Sequence, residues 1–508
     1  MRYVQSSEKI LSLAVLSNIL EKRQNATIVH CHGVFDLVHI GHIRHFQEAK
    51  SLGDILVVTI TPDEFVNKGP HRPVFSAKLR AESLAALEVI DYVAVNQWPT
   101  AVEIIKLLKP DIYVKGSEYR DINNDKTGKI IDEEKAVNSC GGRIHFTDDI
   151  VYSSSTLLND FFSPFPEEVQ RYLRNFSRQY DINDVLHYLE NAQTVNVLAV
   201  GETILDEYVF CDTLGKSGKE PILAARCAGS EMYAGGILAI GNNLAAFTDN
   251  VSLLSSLGDK DSNKNFIQQN IVPVIKPHFI NHEGPTIVKR RYVEQYPFQK
   301  LFEVYHMSNN DDRPEPHEKF RENLEELLPQ ADLVIVADYG HGLIDQKTAA
   351  LICEKAKLLA VNTQVNAGNY GFNTVSKYTG ADFICISEKE LRLETRCRNG
   401  DIKKLMGNAS EHLQCPKLLI TKGKEGCICY DQHTGFHRIP AFTGKIVDRI
   451  GSGDTMLALS SLCVAQKAPL EIAGFLGNVA GALAVGTICN KTSLEKIPMM
   501  KNIISMLK

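Results

Sequence analysis

From Ala26 to about Phe162 the chain alternates short β-rich runs ("ATIVHCH", "DILVVTI", "DYVAVN", "DIYVKG", "RIHFTD") with helical stretches ("HIRHFQEAKSLG", "SAKLRAESLAALEVI", "TAVEIIKLLKP"). No other feature of the sequence constrains the fold as strongly. Strands joined through helices pair in parallel, so the alternation predicts βαβ units on one sheet. A parallel-sheet α/β domain is expected over residues 26–162, preceded by an N-terminal helix over 1–25. The stretch "SPFPEEVQRYLRNFSRQYDINDVLHYLENAQ" then breaks the rhythm. Two prolines open it and charged helix formers follow without a strand, so 163–194 is read as a helical linker. From 195 to 508 a second β-first region begins, turn-punctuated near 204–234 and 285–306 and alternating β and α after Leu333. It predicts a larger α/β domain with a small β lid. The 508 residues are too many for one compact core and suit two or three units, because single domains usually span about 100–200 residues. No internal repeat or low-complexity segment occurs, so the halves are different domains.

Charge and composition narrow the partners. A formal net charge of -6, spread along the chain, supplies no basic stripe for a nucleic-acid backbone, which points to small molecules. No apolar run approaches the ~20 residues that cross a bilayer, and no membrane partner is expected. The first residues, "MRYVQSSEKILSLAVLSNILEKR", have helical apolar spacing but no small-residue cleavage site, and are read as an amphipathic helix rather than a signal. Twelve cysteines, many inside apolar runs such as "ADFICIS" and "GCICY" and none spaced C-x-x-C, fit buried thiols in a reducing cytoplasm. Neither disulfides nor structural zinc are expected.

"HCHGVFDLVHIGHIRH", His30 to His45, carries the first candidate chemistry. The strand "TIVHCH" ends at Gly33 and a helical apolar pattern resumes at Ile40, Ile43, Phe46 and Ala49. A helix start at the carboxyl end of a parallel strand favours bound phosphate, through unpaired amides and a partial positive charge. His39 and His42 can both face that spot, with Gly41 between them allowing close approach. Zinc is the competing reading, because imidazoles three apart on a helix can chelate. A zinc site wants three or four ligands, however, and Cys31 and His32 point to opposite faces of their strand. His30 and His45 are assigned no role.

"KIVDRIGSGDTMLALSSL" holds the second candidate. Gly451, Ser452 and Gly453 precede a helical pattern, where backbone amides form an anion pocket, and Asp454 stands where a carboxylate can take a proton from an attacking hydroxyl. Alone, G-S-G-D also suits a simple turn or cap. No G-x-x-x-x-G-K-[ST] P-loop occurs anywhere.

"GVFDLVHIGHIRHFQEAKSLGD", with "KGPHRPV", "LRAESLAALEVIDYV", "PDIYVKGSEY" and "YSSSTLLN" in order, resembles the H-x-G-H nucleotidylyltransferases, which include glycerol-3-phosphate cytidylyltransferase and heptose 1-phosphate adenylyltransferase. The resemblance implies a Rossmann-like domain in which His39 and His42 grip a triphosphate and Gly33, Phe35 and Asp36 shape the nucleotide pocket. It puts Lys68, Arg80, Lys115 and Gly116 near phosphates, and Ser154, Ser155 and Thr156 at a helix start that closes the site. "KGPHRPV" and "VKGSEY" are closer to the adenylyltransferase version, which leans towards ATP while leaving CTP open.

Residues 195–508 resemble the ribokinase-like PfkB sugar kinases, and among them the heptose 7-phosphate kinases. "VGETILDEYVF" carries Asp206 over as a sugar ligand, and "AGGILAIGNNLAAF" places Gly235 and Gly236 near the sugar. "PTIVKRRYVEQYPFQKLFEV" matches a lid segment and "ADYGHGLI" the central strand. "ICISEKELR" matches the N-x-x-E magnesium motif through Glu390, which implies an indirect Mg2+ contact. "ITKGKEG" matches a nucleotide-side turn through Thr421, Gly423 and Gly426. Four positions depart from the pattern: Ala239 and Ser387 replace asparagines, His341 a lysine and Ile450 a threonine. These departures imply altered sugar contacts.

Together the two halves resemble the bifunctional heptose 7-phosphate kinase / heptose 1-phosphate adenylyltransferases with the domain order reversed. That implies phosphorylation of a sugar at its anomeric hydroxyl with Asp454 as base. Nucleotidyl transfer from ATP or CTP to the sugar 1-phosphate over His39 and His42 would follow. The resemblance further implies Mg2+ with ATP, a cytoplasmic setting and a homodimer. Two alternatives stand beside it: a cytidylyltransferase and kinase for another polyol or sugar phosphate of surface polysaccharide, and a transferase joined to a non-catalytic sugar-binding domain.

Overall fold

The computed structural model describes residues 6–23, 25–66, 72–116, 129–147, 165–308, 314–442 and 446–507. The chain divides into two units, one of residues 1–166 with 500–508 and one of 167–499.

In the first unit, β1 (Ile28–Gly33), β2 (Ile55–Ile60), β3 (Tyr92–Val95), β4 (Ile112–Lys115) and β5 (Arg143–Phe146) form one sheet in the order β3-β2-β1-β4-β5. All its pairs are parallel. Every residue of β2 is buried, as a strand covered by helices on both faces requires. The order reverses between β1 and β4, so their carboxyl ends flank the crevice where open α/β sheets bind ligands. Helices occupy both faces: Phe46 and Ala49 of Ile40–Ser51 pack with Val29, Cys31 and Leu56, whereas Leu16 and Leu20 of Leu13–Glu21 pack with Val57 and Tyr113.

The strands of the second unit are β6 (Val197–Gly201), β7 (Thr203–Lys216), β8 (Leu223–Gly236), β9 (Val251–Lys260), β10 (Lys276–Pro285), β11 (Ile287–Glu294), β12 (Gln299–His306), β13 (Leu333–Asp338), β14 (Leu359–Thr363), β15 (Phe383–Ser387), β16 (Lys417–Thr421), β17 (Cys427–Asp431) and β18 (Gly435–Ile439). Nine make the main sheet, β10-β9-β6-β13-β14-β15-β16-β17-β18, and four make a separate sheet, β12-β11-β7-β8. The main sheet is parallel from β10 to β16 and closes with an antiparallel hairpin. The small sheet is the β lid that the turn-rich segments predicted. The outer part of its strand β8 is exposed and only the last four residues are buried.

Residues 167–194 belong to this unit. Helix Glu167–Gln179 buries Val169, Leu173 and Phe176, and the Phe176 ring stacks on Phe475 at 4.4 Å between centroids. The next helix, Ile182–Glu190, is capped by Asp181 and tied by Gln466 Nε2 to Tyr188 O at 2.8 Å. Burying an apolar helix face against a core is what stabilises short helices of this length. Phe176→Ala should therefore lower the unfolding free energy of the second unit by about 3–5 kcal/mol. Urea denaturation followed by circular dichroism measures this, and Arg171→Ala, on the exposed face of the same helix, should stay within about 0.5 kcal/mol.

Candidate active sites

The first site lies at the carboxyl end of β1. His39 is the N-cap of helix Ile40–Ser51, with extended backbone, and its Nδ1 accepts the Gly41 amide at 3.1 Å. His42 Nδ1 in turn accepts the His39 amide at 3.4 Å, completing a capping box built from two imidazoles. The rings lie 4.0 Å apart. Burial lowers the His39 pKa, favouring the neutral ring. A neutral imidazole that accepts at Nδ1 carries its proton on Nε2, a donor of the kind phosphoryl oxygens take. The cap thus fixes the tautomer.

The other expected residues fall into distinct roles. Phe35 has a left-handed φ of 47° and sets its ring edge-on to His42 at 5.4 Å. A Cβ on Gly33 would stand 2.9 Å from the tip of that ring, so a larger residue there would have to displace Phe35. Asp36 accepts the amides of Val74 at 2.9 Å and Phe75 at 3.0 Å and pairs with Arg72, so it shapes the loop over the site. Cys31 pairs with Val114, which puts Lys115 and Gly116 beside the end of β1. Lys115 Nζ lies 2.7 Å from Glu133.

Arg80 corrects an expectation. Its side chain is fully buried, and its guanidinium donates to Phe75 O, Val34 O, Thr61 O and Asp63 Oδ1 between 2.5 and 2.9 Å. Four donors held by the protein make Arg80 a clamp on three loops, not a phosphate ligand. Lys68, Ser154, Ser155 and Thr156 lie outside the described residues. His30 is buried in the sheet with Nε2 on Thr59 Oγ1 at 2.7 Å, and burial lowers its pKa to about 3. His32 shares Thr59 through Nδ1 at 2.8 Å, and His45 meets Thr147 at 3.2 Å.

The second site is a cavity of about 210 Å³ lined in part by Asp206, Gly236, Lys289, Arg291, Tyr339 and Asp454. Asp454 stands in the first turn of helix Ser452–Ala465, whose N-cap Gly451 has a left-handed φ of 83°. A Cβ at Gly451 would fall 2.0 Å from Asn490 Oδ1, so both the conformation and the space demand glycine. Gly453 also lines the cavity, and Ser452 Oγ closes the turn onto Arg449 O at 3.1 Å. Gln364 Nε2, just past β14, donates to Asp454 Oδ1 at 2.8 Å. Burial, reinforced by the charge of Asp206, raises the Asp454 carboxyl to about 7. That is the range in which a carboxylate works as a base near neutral pH.

Asp206 comes from lid strand β7 and is ion-paired with Arg291 of β11. A Cβ on Gly235 would lie 2.1 Å from Asp206 Oδ2, so this glycine makes room for the carboxylate. Gly236 takes φ 56° where β8 turns into helix Ile237–Leu244. Ala239 is buried in that helix and is not among the cavity-lining residues. At the carboxyl ends of the neighbouring strands, Ser387 pairs in register with Thr421. Gly423 and Gly426 follow in a turn with φ of 58° and 86°. Ser387 caps helix Glu388–Glu394 in a capping box with Glu390, whose oxygens accept the amides of Ser387 at 2.7 Å and Val365 at 3.0 Å. These two amides hold the Glu390 carboxylate in place at the carboxyl end of β15. Among the described residues no group of three or more His, Cys, Asp or Glu side chains is placed to hold a metal ion. His341 gives its amide to Glu202 at 3.0 Å, and burial drops its ring pKa to about 4.

Sequence reasoning missed Lys289, Arg291, Arg449, Tyr339 and Gln364 as site residues. The signal for two of them was present: Lys289 and Arg291 alternate on one strand and so share a face. Both are almost fully buried, and burial lowers the Lys289 pKa. The cavity thus gathers three cationic residues beside two carboxylates, with Arg291 and Asp206 paired to each other.

The pfkB family carbohydrate kinase model matches residues 195–497, and the cytidylyltransferase-like model matches 30–159. The N-terminal part is similar to curated proteins named Bifunctional protein HldE. The one from Syntrophotalea carbinolica is 40% identical over 139 residues, which cover 27% of this chain and 27% of that protein. The one from Geobacter metallireducens is 36% identical over 163 residues, covering 31% and 32%. The matches thus span about a third or less of these relatives. Phosphofructokinase-2 from Escherichia coli, solved with potassium, superposes with a TM-score of 0.51 at 12% identity, covering 62% of this chain and all of that one, and shows the ribokinase-like fold. The chain belongs to the pfkB family of carbohydrate kinases and joins that domain to a cytidylyltransferase-like one.

Proposed function

We propose that the chain is a bifunctional sugar-activating enzyme. Its second unit moves the γ-phosphoryl of ATP to the anomeric hydroxyl of a sugar phosphate of the heptose 7-phosphate kind. Its first unit then joins the sugar 1-phosphate to a nucleotide. The observation that carries this reading is Asp454, a carboxyl raised to about 7 at a glycine-built helix start, in a cavity shared with Asp206 and the cations Lys289, Arg291 and Arg449. The carboxylates suit sugar hydroxyls and the cations suit a substrate that already bears phosphate.

In the kinase step Asp454 takes the hydroxyl proton as the sugar oxygen bonds to the γ-phosphorus and ADP leaves. The helix start and Arg449 face the charge that develops on the phosphoryl oxygens. Magnesium bound with ATP supplies charge neutralisation at the phosphates. In the transfer step an oxygen of the sugar phosphate attacks the α-phosphorus of ATP or CTP, and pyrophosphate leaves. His39 and His42 donate through Nε2 to the phosphoryl oxygens, and the Arg80 clamp holds the loops around them. The fusion is chemically coherent, because the first product is the second substrate.

Mass spectrometry of products after incubation with ATP, CTP and a panel of heptose and polyol phosphates tests the whole reading. A nucleotide-diphosphate heptose is the expected product. A polyol conjugate would move the substrate class, and no ADP from any sugar would reduce the second unit to a binding domain. Asp454→Asn should cut sugar-dependent ADP release by about 10²–10⁴-fold while leaving nucleotidyl transfer to supplied sugar 1-phosphate intact. His42→Ala should do the reverse, lowering nucleotidyl transfer by about 10²–10³-fold. The base must be ionised, so kinase kcat/KM should rise tenfold per pH unit below about 7 and level off above it. A flat profile between pH 5 and 8, measured where the protein stays folded, would remove Asp454 from that role.

A further inference from the structure

Asp448 has no part in the transfer chemistry, yet its side chain is only 2% exposed. Five donors converge on it. From the lid, Tyr208 Oη of β7 and Lys300 Nζ of β12 each donate at 2.6 Å. The remaining three are backbone amides, Arg449 at 2.7 Å, Cys489 at 3.1 Å and Ile450 at 3.2 Å. Burial alone pushes this carboxyl up, but the hydrogen bonds from Lys300 and Tyr208 outweigh it and hold the group below the usual carboxylate range. Lys300 Nζ also lies 5.5 Å from the centre of the Tyr208 ring.

A carboxylate this enclosed needs a compensating cation, and Lys300 supplies one from the lid. The same carboxylate gathers the amides of Arg449 and Ile450, both of which line the cavity. Gly451 and the helix start that carries Asp454 follow directly. One buried anion therefore links two lid strands to the turn that aims the base.

We infer that Lys300 is a positioning residue of the kinase site, its ammonium neutralising Asp448 and so coupling the lid to the turn at 448–454. Its kinetic consequence rests on the phosphoryl-transfer reading above; the coupling itself does not. The charge, rather than the length of the side chain, does the work, so arginine substitutes for it and alanine does not.

The test uses the full chain with Lys300→Ala and Lys300→Arg, each checked against the wild-type melting profile. Hydrogen–deuterium exchange of a peptide covering 446–455 should quicken by about tenfold in the alanine variant and stay near wild type in the arginine variant. In the kinase assay the alanine variant should lose about 10–100-fold in kcat with little change in sugar KM. Added ammonium chloride should restore part of that loss, and tetramethylammonium chloride at equal ionic strength should not. Unchanged exchange in the alanine variant overturns the coupling, as does a loss that neither arginine nor ammonium repairs. If the wild-type chain phosphorylates no sugar, the proposed function fails and the exchange result alone decides the coupling.

Discussion

Parallel pairing is the constraint on which everything else depends. A parallel strand cannot return to its neighbour without a crossover, so the parallel strands of each main sheet end at one edge, and β1, β13 and β15 among them lead into helices there. That edge collects the carboxyl ends of strands and the positive ends of helices. In the first unit it holds Gly33 and His39 after β1 and Lys115 at the end of β4. In the second, Glu202, Asp338, Gln364 and Ser387 stand at or just past the ends of β6, β13, β14 and β15. The chemistry is placed by topology before any side chain is chosen.

Given that edge, the side chains solve a common problem of buried charge in different ways. Asp454 accepts from the neutral Gln364 amide, and burial with the charge of Asp206 outweighs nearby Lys289 and moves it towards the protonated state. Asp206 receives an arginine, and Asp448 a lysine with three amides. Glu202 accepts the amides of Tyr339 and His341 at 3.0 Å each, while burial and the neighbouring Asp338 raise its pKa. Asp338 itself takes Lys377 and the Tyr378 hydroxyl. The raised carboxyl of Asp454 suits the base of the proposed kinase step, and the ion-paired carboxylates hold the frame.

The two histidines show how far local pattern reaches. Spacing placed His39 and His42 at a helix start, and the structure adds that each ring caps the other's backbone, which fixes the tautomer. Gly451 and Gly453 were legible for the same reason, since glycines just ahead of a helical apolar pattern mark the turn that opens the helix. Arg80 shows the limit. A basic residue among phosphate-binding motifs looks like a ligand until the fold brings Val34, Thr61, Asp63 and Phe75 around it. Those partners lie 5 to 46 residues away, and no window of sequence contains them. Ser387 was noted as a departure from the kinase motif, yet it serves as an N-cap that keeps Glu390 in place. A hydroxyl does that local task as well as an amide.

The sequence by itself determined the two α/β sheets, the separate lid and the positions of the glycine turns. Each follows from short-range periodicity and from conformations that only a few residue types adopt. The tertiary structure alone decided which charges are neutralised and by whom. Lys300 meets Asp448 from 148 positions away, and Arg291 meets Asp206 from 85. Such pairings depend on burial, which strips the water that would otherwise screen them, and burial is a property of the folded whole.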